Sequence, residues 1–508
     1  MSNSKYLYGA AVQGIQGFIF QTNKLREIVG ASELVEEICT TKFEEIVGNT
    51  FVEYDKTKNY GSILHAAGNI KYIFDSYEDC QKIVRIFPKT IAEFAPGITV
   101  SQAVVAFEDD FAKAVNELEK RLRIQRNKSM RSQTLGLMCI ERSRQTGLPV
   151  VLEKDGEYID AATRSKLYED PYGKRKRTTK KLCKTAFDMN DISDGQIAYD
   201  IEDMSEKNDW IAIIHADGNG LGQVVQAIGT NEEQFKKFSK SLDKATKDAA
   251  VEAYKSIKQK FNEEKFIPIR PIVLGGDDFT VICRADIALE YVTEFIKQFE
   301  TKTSFVTQYN NLKFGNLTAC AGIAYIKSSY PFYYGYNLAE ALCSRAKKDA
   351  KAGLADGGLA KSCLMFHKVQ DSFTEDFEAI VKRELTPQEN ISFEFGPYYI
   401  NEKKEASRWT VENLITHSNK LEGKEGNAVK SHLRQWLSLL HDNTEMANQK
   451  LQRLKSITSM QEFVDEVTKG VIKTVRKDGN DKEVTVYPVY DILAIHTINN
   501  QETKEDAK

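Results

Sequence analysis

Apolar and polar positions along this chain trace one order of elements twice. In the later copy, "WIAIIHADGNGLGQVV" (210–225) is an apolar run that ends in a turn of small residues. A polar stretch with helical spacing follows to residue 262, and "IRPIVLGGDDFTVIC" (269–283) places two apolar runs around a turn, the pattern of a hairpin. Another helical stretch runs to 302, then a strand "LTACAGIAYI" (317–326) and a helix "NLAEALCSRAKKDAKAG" (337–353). The N-terminus repeats this order. "YLYGAAVQGIQGFIF" (6–20) is an apolar run around glycines, 24–47 has helical spacing, "SILHAAGNIKYIF" (62–74) reads as a hairpin, "TVSQAVVAFE" (99–108) as a strand and 109–128 as a charged helix. Each copy therefore predicts β-α-β-β-α-β, a ferredoxin-like unit whose antiparallel sheet is backed by helices. The expected fold class is α+β, with a first unit over 1–130, a linker subdomain over 131–205, a second unit over 206–372 and a helical C-terminal domain over 373–508.

The two copies differ where chemistry would sit. The later hairpin turns through Gly275-Gly276-Asp277-Asp278, and the earlier one through Ala66-Ala67-Gly68-Asn69, with no carboxylate nearby. Asp217, at the end of the later apolar run, has Gln16 or Gly17 as its expected counterpart. Neighbouring carboxylates repel and are costly to desolvate unless a cation or hydrogen bonds compensate them. A lone Gly-Gly-Asp-Asp is consistent with a plain turn. Asp217 and the pair Asp277–Asp278 lie on strands that neighbour one another in a ferredoxin-like sheet, so the three can converge. Such a set of hard oxygen donors suits magnesium or manganese, two ions of which can hold a triphosphate. After Asp217, the run Gly218-Asn219-Gly220-Leu221-Gly222 lets backbone amides approach phosphate oxygens ahead of a helix. Lys347 and Lys348, on the last helix of the copy, are candidates for neutralising phosphate charge.

Composition adds limits. The chain has 508 residues, 41% hydrophobic and 28% charged, with a net charge of −3, so any nucleic-acid contact must come from local patches. No stretch reads as a signal peptide or a membrane span, and the eight scattered cysteines form no CxxC pair, which points to reduced thiols in a cytoplasm. The basic run "GKRKRTTKKLCK" (173–184) reads as a solvated loop, with RNA or partner contact as the alternative. The pair His441–Asp442 sits in a helical stripe of leucines and Trp436 that needs a core, so no second metal site is expected there. His215 is expected to pack or to position a neighbour.

"HADGNGLG", "LGGDDF", "LTACAGIAYI" and "AEALCSRAKKDAK" resemble the nucleotidyl-cyclase palm shared by GGDEF-type cyclases and the large polymerase/cyclase subunit of type III CRISPR effectors. The CRISPR form is the closer likeness, because it combines GGDD with a degenerate first palm, and "GIQGFIFQTNKLREIVGASEL" is similar to the opening of that first palm. The resemblance covers residues 5 to 372. It implies Asp217, Asp277 and Asp278 as metal ligands, Lys347 as a triphosphate contact, and the joining of ATP units into a cyclic oligoadenylate. It also implies RNA and other effector subunits as partners, with no membrane; the oligomeric state is left open. The family often begins with a histidine-aspartate nuclease domain, and this chain starts directly at the first palm, as a reduced or stand-alone form would. The family's zinc knuckle is expected to be lost. Its segment (135–151) keeps Cys139 but has Ser143 and Arg144 where a thiolate is needed, and Cys183 is the linker's only other cysteine. Two rival readings are a cyclase making a cyclic di- or mononucleotide and a non-catalytic RNA- or protein-binding scaffold.

Overall fold

The computed structural model describes residues 4–500 apart from 55–59, 67, 109, 129–137, 188–192, 206–209, 229–230, 310–311, 353, 355–356, 372–375, 402–407 and 478–479. Strands β1 (Lys5–Gln13), β2 (Gly61–Ala66), β3 (Asn69–Phe74) and β4 (Thr99–Phe107) form a sheet in the order β2-β3-β1-β4. Alternation decides its two faces. Leu7, Ile73 and Val105 pack beneath Leu118 and Leu122 of the helix Phe111–Arg126, while Tyr8, Ala10 and Tyr72 face the helices Leu25–Glu37 and Tyr77–Phe94. In the linker, β5 (Val150–Lys154) and β6 (Glu157–Asp160) form a small hairpin followed by the helix Ala161–Leu167.

The second palm carries β7 (Trp210–Asn219), β8 (Ile269–Gly275), β9 (Asp278–Arg284), β10 (Thr318–Lys327) and β11 (Cys363–Lys368). With β12 (Ile391–Ser392) placed elsewhere, β13 (Tyr398–Tyr399) completes a six-stranded sheet in the order β13-β11-β10-β7-β9-β8. Its part β10-β7-β9-β8 repeats the strand order of the first palm. Each unit is ferredoxin-like, as the pattern predicts.

Both faces of this second sheet are covered. Ala212, Ile214 and Ala216 of β7 pack with Val281 and the helices Glu232–Ile257 and Ala285–Lys302. Ile211 and Ile213, on the opposite face, join Leu34 and Val35 of the first palm and Leu338 of the helix Phe332–Lys351 in one core. The two palms are thus packed face against face. A Cβ at Gly322 would lie 1.9 Å from the Ala339 carbonyl oxygen, so only glycine lets the helix Phe332–Lys351 settle onto β10.

The C-terminal part is largely helical, with helices at Val411–Asn419, Gly423–Asp442, Thr444–Ile457, Gln461–Val467 and Val489–Asn499. It adds a feature that the pattern does not predict. The strands β14 (Val471–Lys477) and β15 (Asn480–Val486) pair, and with β12 they make a sheet in the order β12-β15-β14. No helix among the described residues is long and apolar enough to cross a membrane.

The basic run around 177 is built into the molecule. Arg177 pairs with Glu37 at 3.0 Å, and the buried Arg270 of β8 donates to Cys183 Sγ at 3.1 Å and to Thr179. Elsewhere the run is solvated, as expected: Lys174, Arg175, Lys176, Lys181 and Lys184 are exposed.

Candidate active site

Odd positions of β7 face the helix Phe332–Lys351 and the first palm, which puts Asp217 and His215 on that side. Asp217 is the register partner of Asp278 across β7 and β9, and Gly275 is the partner of Asp278 across the hairpin. The two-residue tip is therefore Gly276–Asp277, with Gly276 at φ +62°, the positive φ that a primed hairpin turn requires. Thr246, on the helix Glu232–Ile257, donates its hydroxyl to the Gly276 carbonyl at 2.5 Å and ties the tip down.

The glycines of the loop after Asp217 have separate causes. A Cβ at Gly218 would stand 2.9 Å from the Asp277 Cβ and 2.9 Å from Leu221, so the tip packs directly on the bare backbone. Gly220 turns through φ +91°, and the helix Leu221–Ile228 starts immediately after it. Gly222, within that helix, has open space around its Cα. Asn219 is buried and donates its amide to Thr318 at 3.2 Å and to Cys320 Sγ at 3.3 Å, which clamps the end of β7 to β10.

Charge is concentrated at this end of the sheet. Burial, then the neighbouring carboxylates of Asp278 and Asp217, push the Asp277 carboxyl up to about 7. Asp278 stands at the open mouth, yet the surrounding protein desolvates it and raises it, with His215 opposing and Asp217 adding to the rise. Lys347 donates to Asp217 Oδ2 at 2.6 Å and to the Gly218 carbonyl at 2.8 Å, so its ammonium is the counter-ion of the cluster. Lys348 lies on the adjacent, exposed side of the same helix. His215 is buried, shares a hydrogen bond of 3.1 Å with the Thr280 hydroxyl, and is held below the ordinary histidine value by burial. Among the described residues no group of three or more His, Cys, Asp or Glu is gathered as for a bound metal.

A cavity of about 500 Å³ opens beside the carboxylates between the two palms. Gly14, Gln16 and Ser32 line it from the first palm, and His215, Asp278 and Tyr336 from the second. Gln16 donates to the Tyr336 hydroxyl at 2.7 Å, and Phe20 stacks on the Tyr336 ring at 4.2 Å. Tyr336 belongs to the aromatic group "YPFYYGYN" (330–337), which the sequence offers equally as packing or as a base-stacking surface; the pair Asp243–Lys247 (2.6 Å), which also borders the cavity, is not foreseen by the motifs.

Register also settles the counterpart question. Asn69 follows the two-residue tip of the first hairpin as Asp278 follows that of the second, and its partner on β1 is Ala11. The position equivalent to Asp217 is therefore Ala11, in place of Gln16 or Gly17. Gly14 (φ +66°), three residues on, corresponds to Gly220. The linker cysteines are apart in environment as well as in sequence: Cys139 is exposed and Cys183 is buried beneath Arg270. His417 is buried against Glu466 at 2.8 Å, and His441 lies 5.7 Å from the Phe393 ring.

Comparison with known proteins agrees with this architecture. Residues 210–355 match the family model of the Cas10/Cmr2 second palm domain. Solved structures similar in fold include a Csm1–Csm4 cassette in complex with cA4 (15% identity, TM-score 0.54) and the cassette in complex with AMPPNP (14%, 0.56). Csm1 from T. onnurineus is a third (15%, TM-score 0.52); all three alignments cover 98% of this chain and 70% of the other. No match was found among curated proteins. The second palm is thus of the Cas10/Cmr2 type, and the chain is like the large subunit of type III CRISPR effectors, as its motifs imply.

Proposed function

We propose that this protein is a nucleotidyltransferase that converts ATP into a cyclic oligoadenylate, with chemistry at the second palm and an acceptor pocket shared with the first. The observation that carries this reading is the asymmetric pair of palms. One sheet end carries Asp217, Asp277 and Asp278, with Lys347 on Asp217, and the matching end of the other has Ala11, Gly68 and Asn69. Burial and the carboxylates of Asp278 and Asp217 push the Asp277 carboxyl up to about 7, a cost that added positive charge at the tip would relieve.

The donor set fits magnesium or manganese: three hard carboxylates, two of them partly desolvated, with Asp278 lining a cavity large enough for a nucleotide. When bound, such ions would supply Lewis-acid charge to the phosphates and acidify the attacking hydroxyl. The chain's own residues would do the rest. Asp217 and Asp278, on adjacent strands, and Asp277, at the tip, would hold the ions. Lys347 releases Asp217 and moves to the triphosphate, exchanging one anion for another. The amides after Gly218 and the start of the helix Leu221–Ile228 receive phosphate oxygens. Gln16, Ser32 and Tyr336, walls of the cavity between the palms, orient the acceptor nucleotide so that its ribose hydroxyl faces the α-phosphorus and pyrophosphate departs.

The fold likeness supports this reading, since similar folds were solved with AMPPNP, pppApApA and cA4. Effector subunits and RNA are the partners that the same likeness suggests. The test is to incubate the purified protein with each NTP and magnesium or manganese, with and without cellular RNA, and to separate the products by mass. Oligomers from ATP are expected. A single cyclised mononucleotide, a cyclic dinucleotide, or no turnover under any condition would overturn the proposal in favour of one of the two rival readings.

A further inference from the structure

A second cavity lies at the other end of the second palm. Asp217 lies near the C-terminal end of β7, and Trp210 begins that strand, seven residues and roughly 23 Å away at the rise of an extended chain. There, the ends of β10 and β11 and the C-terminal helices enclose a cleft of about 800 Å³. Three cations converge on it: Lys327 and Lys368 at the last positions of β10 and β11, and Arg434 from the helix Gly423–Asp442. None of the three has a carboxylate partner among the described residues. Arg434 donates to the Thr497 hydroxyl at 2.9 Å. The one acid in the lining, Asp371, is paired with Arg383 at 3.4 Å.

This gathering of charge is unfavourable as it stands. Burial, then the repulsion of Arg434 and Lys327, hold the Lys368 ammonium down to about 8. Part of the compensation comes from an aromatic face, since Lys368 Nζ lies 4.5 Å and Lys327 Nζ 5.8 Å from the centre of the Trp210 ring. Further rings border the cleft. Tyr330 is half-buried at one wall, and Tyr490 at the other is stacked on Phe393 at 5.7 Å with its hydroxyl accepting from Gln370. Cations without acids, set among half-covered rings in a cavity of ligand size, match one chemistry: an anionic phosphate joined to a flat base.

We propose that this cleft is a second ligand site, which binds a nucleoside phosphate with its phosphates on Lys327, Lys368 and Arg434 and its base against Tyr330 and Tyr490. The inference does not depend on the chemistry assigned to the carboxylate end of the sheet. Two sources share this chemistry, a free nucleotide and the end of an RNA strand.

Trp210 is the natural reporter: all three tryptophans of the chain are buried, and of the three it is Trp210 that lines the cleft. The full chain is titrated with ATP in EDTA while tryptophan fluorescence is followed. The expected result is saturable quenching in the parent, lost in Trp210→Phe, and a Kd raised at least tenfold by Lys368→Gln with Arg434→Gln. Asp277→Asn with Asp278→Asn should keep both the quenching and its Kd, which separates this site from the palm. Competition in the parent needs no variant: ATP should bind at least tenfold more tightly than tripolyphosphate or adenosine alone. A short oligoriboadenylate is run beside ATP, and whichever binds more tightly identifies the source. Equal binding of tripolyphosphate and ATP, an unchanged Kd in the Lys368/Arg434 variant, or no quenching at all would overturn the proposal.

Discussion

Asp277 combines two properties that pull in opposite directions, a carboxyl raised to about 7 and a place at the tip that closes on Gly218. An acid whose value in the folded state exceeds its unfolded value near 4 binds a proton preferentially in the native protein. Its contribution to stability is complete below the unfolded value and is lost as pH rises toward about 7. Without divalent ions the parent should therefore lose stability across that window, and Asp277→Asn should flatten the profile and melt above the parent at pH 8. Magnesium plus ATP should raise the parent's Tm more at pH 8 than at pH 6, because protons compete with the metal. A profile that is the same in parent and variant would show that the carboxyl is not so perturbed. Lys347 belongs to the same balance. Replacing it by methionine leaves Asp217 without its counter-ion, so Lys347→Met should lower the metal-free Tm by a few degrees and raise KM for ATP about tenfold. An unchanged KM would mean that this ammonium serves the apo protein alone.

Strands, turns and helices decide whether such residues meet, and here the sequence was informative to different depths. The twofold β-α-β-β-α-β order, the hairpin carrying Asp277 and Asp278, and the helix carrying Lys347 are legible because each has strong periodicity and glycine punctuation. Register was legible only in part. The glycines of "GIQG" invite alignment with "GNGLG", which points to Gln16 or Gly17, yet the ladder pairs Asn69 with Ala11. The hairpin of β14 and β15 escaped because its segment is rich in lysine, aspartate and glutamate and follows a run of helices. If Asn69 lies opposite a residue with no donor, Asn69→Ala should leave magnesium binding intact, with at most a modest loss of turnover; calorimetric loss of the metal would mean that the active half is misassigned. In the turn between β7 and the helix Leu221–Ile228, Gly220→Ala forces a side chain to φ +91° and to within 2.6 Å of Leu359. A destabilisation of about 1–3 kcal/mol is expected, read as a lowered denaturation midpoint.

At the scale of the molecule the first palm has kept its fold and contributes a wall. Gln16 and Phe20 meet Tyr336 across the cavity between the palms, and neither contact was visible in sequence because each joins residues more than three hundred positions apart. Tyr336→Ala, which removes both, should lower turnover at least tenfold while leaving magnesium affinity unchanged; turnover equal to that of the parent would take the palm interface out of the account. The buried polar links of Arg270 to Thr179 and Cys183, and of Arg177 to Glu37, show how the linker fixes the palms against each other. The central claim is that the second palm alone performs nucleotidyl transfer. Its most direct test is turnover of α-phosphate-labelled ATP by the parent and by Asp277→Asn with Asp278→Asn, side by side in magnesium. Phosphatase-resistant labelled oligomers together with released pyrophosphate from the parent, and neither from the variant, is the predicted result. Equal product from both, or label recovered from the parent only as AMP or ADP, would contradict it.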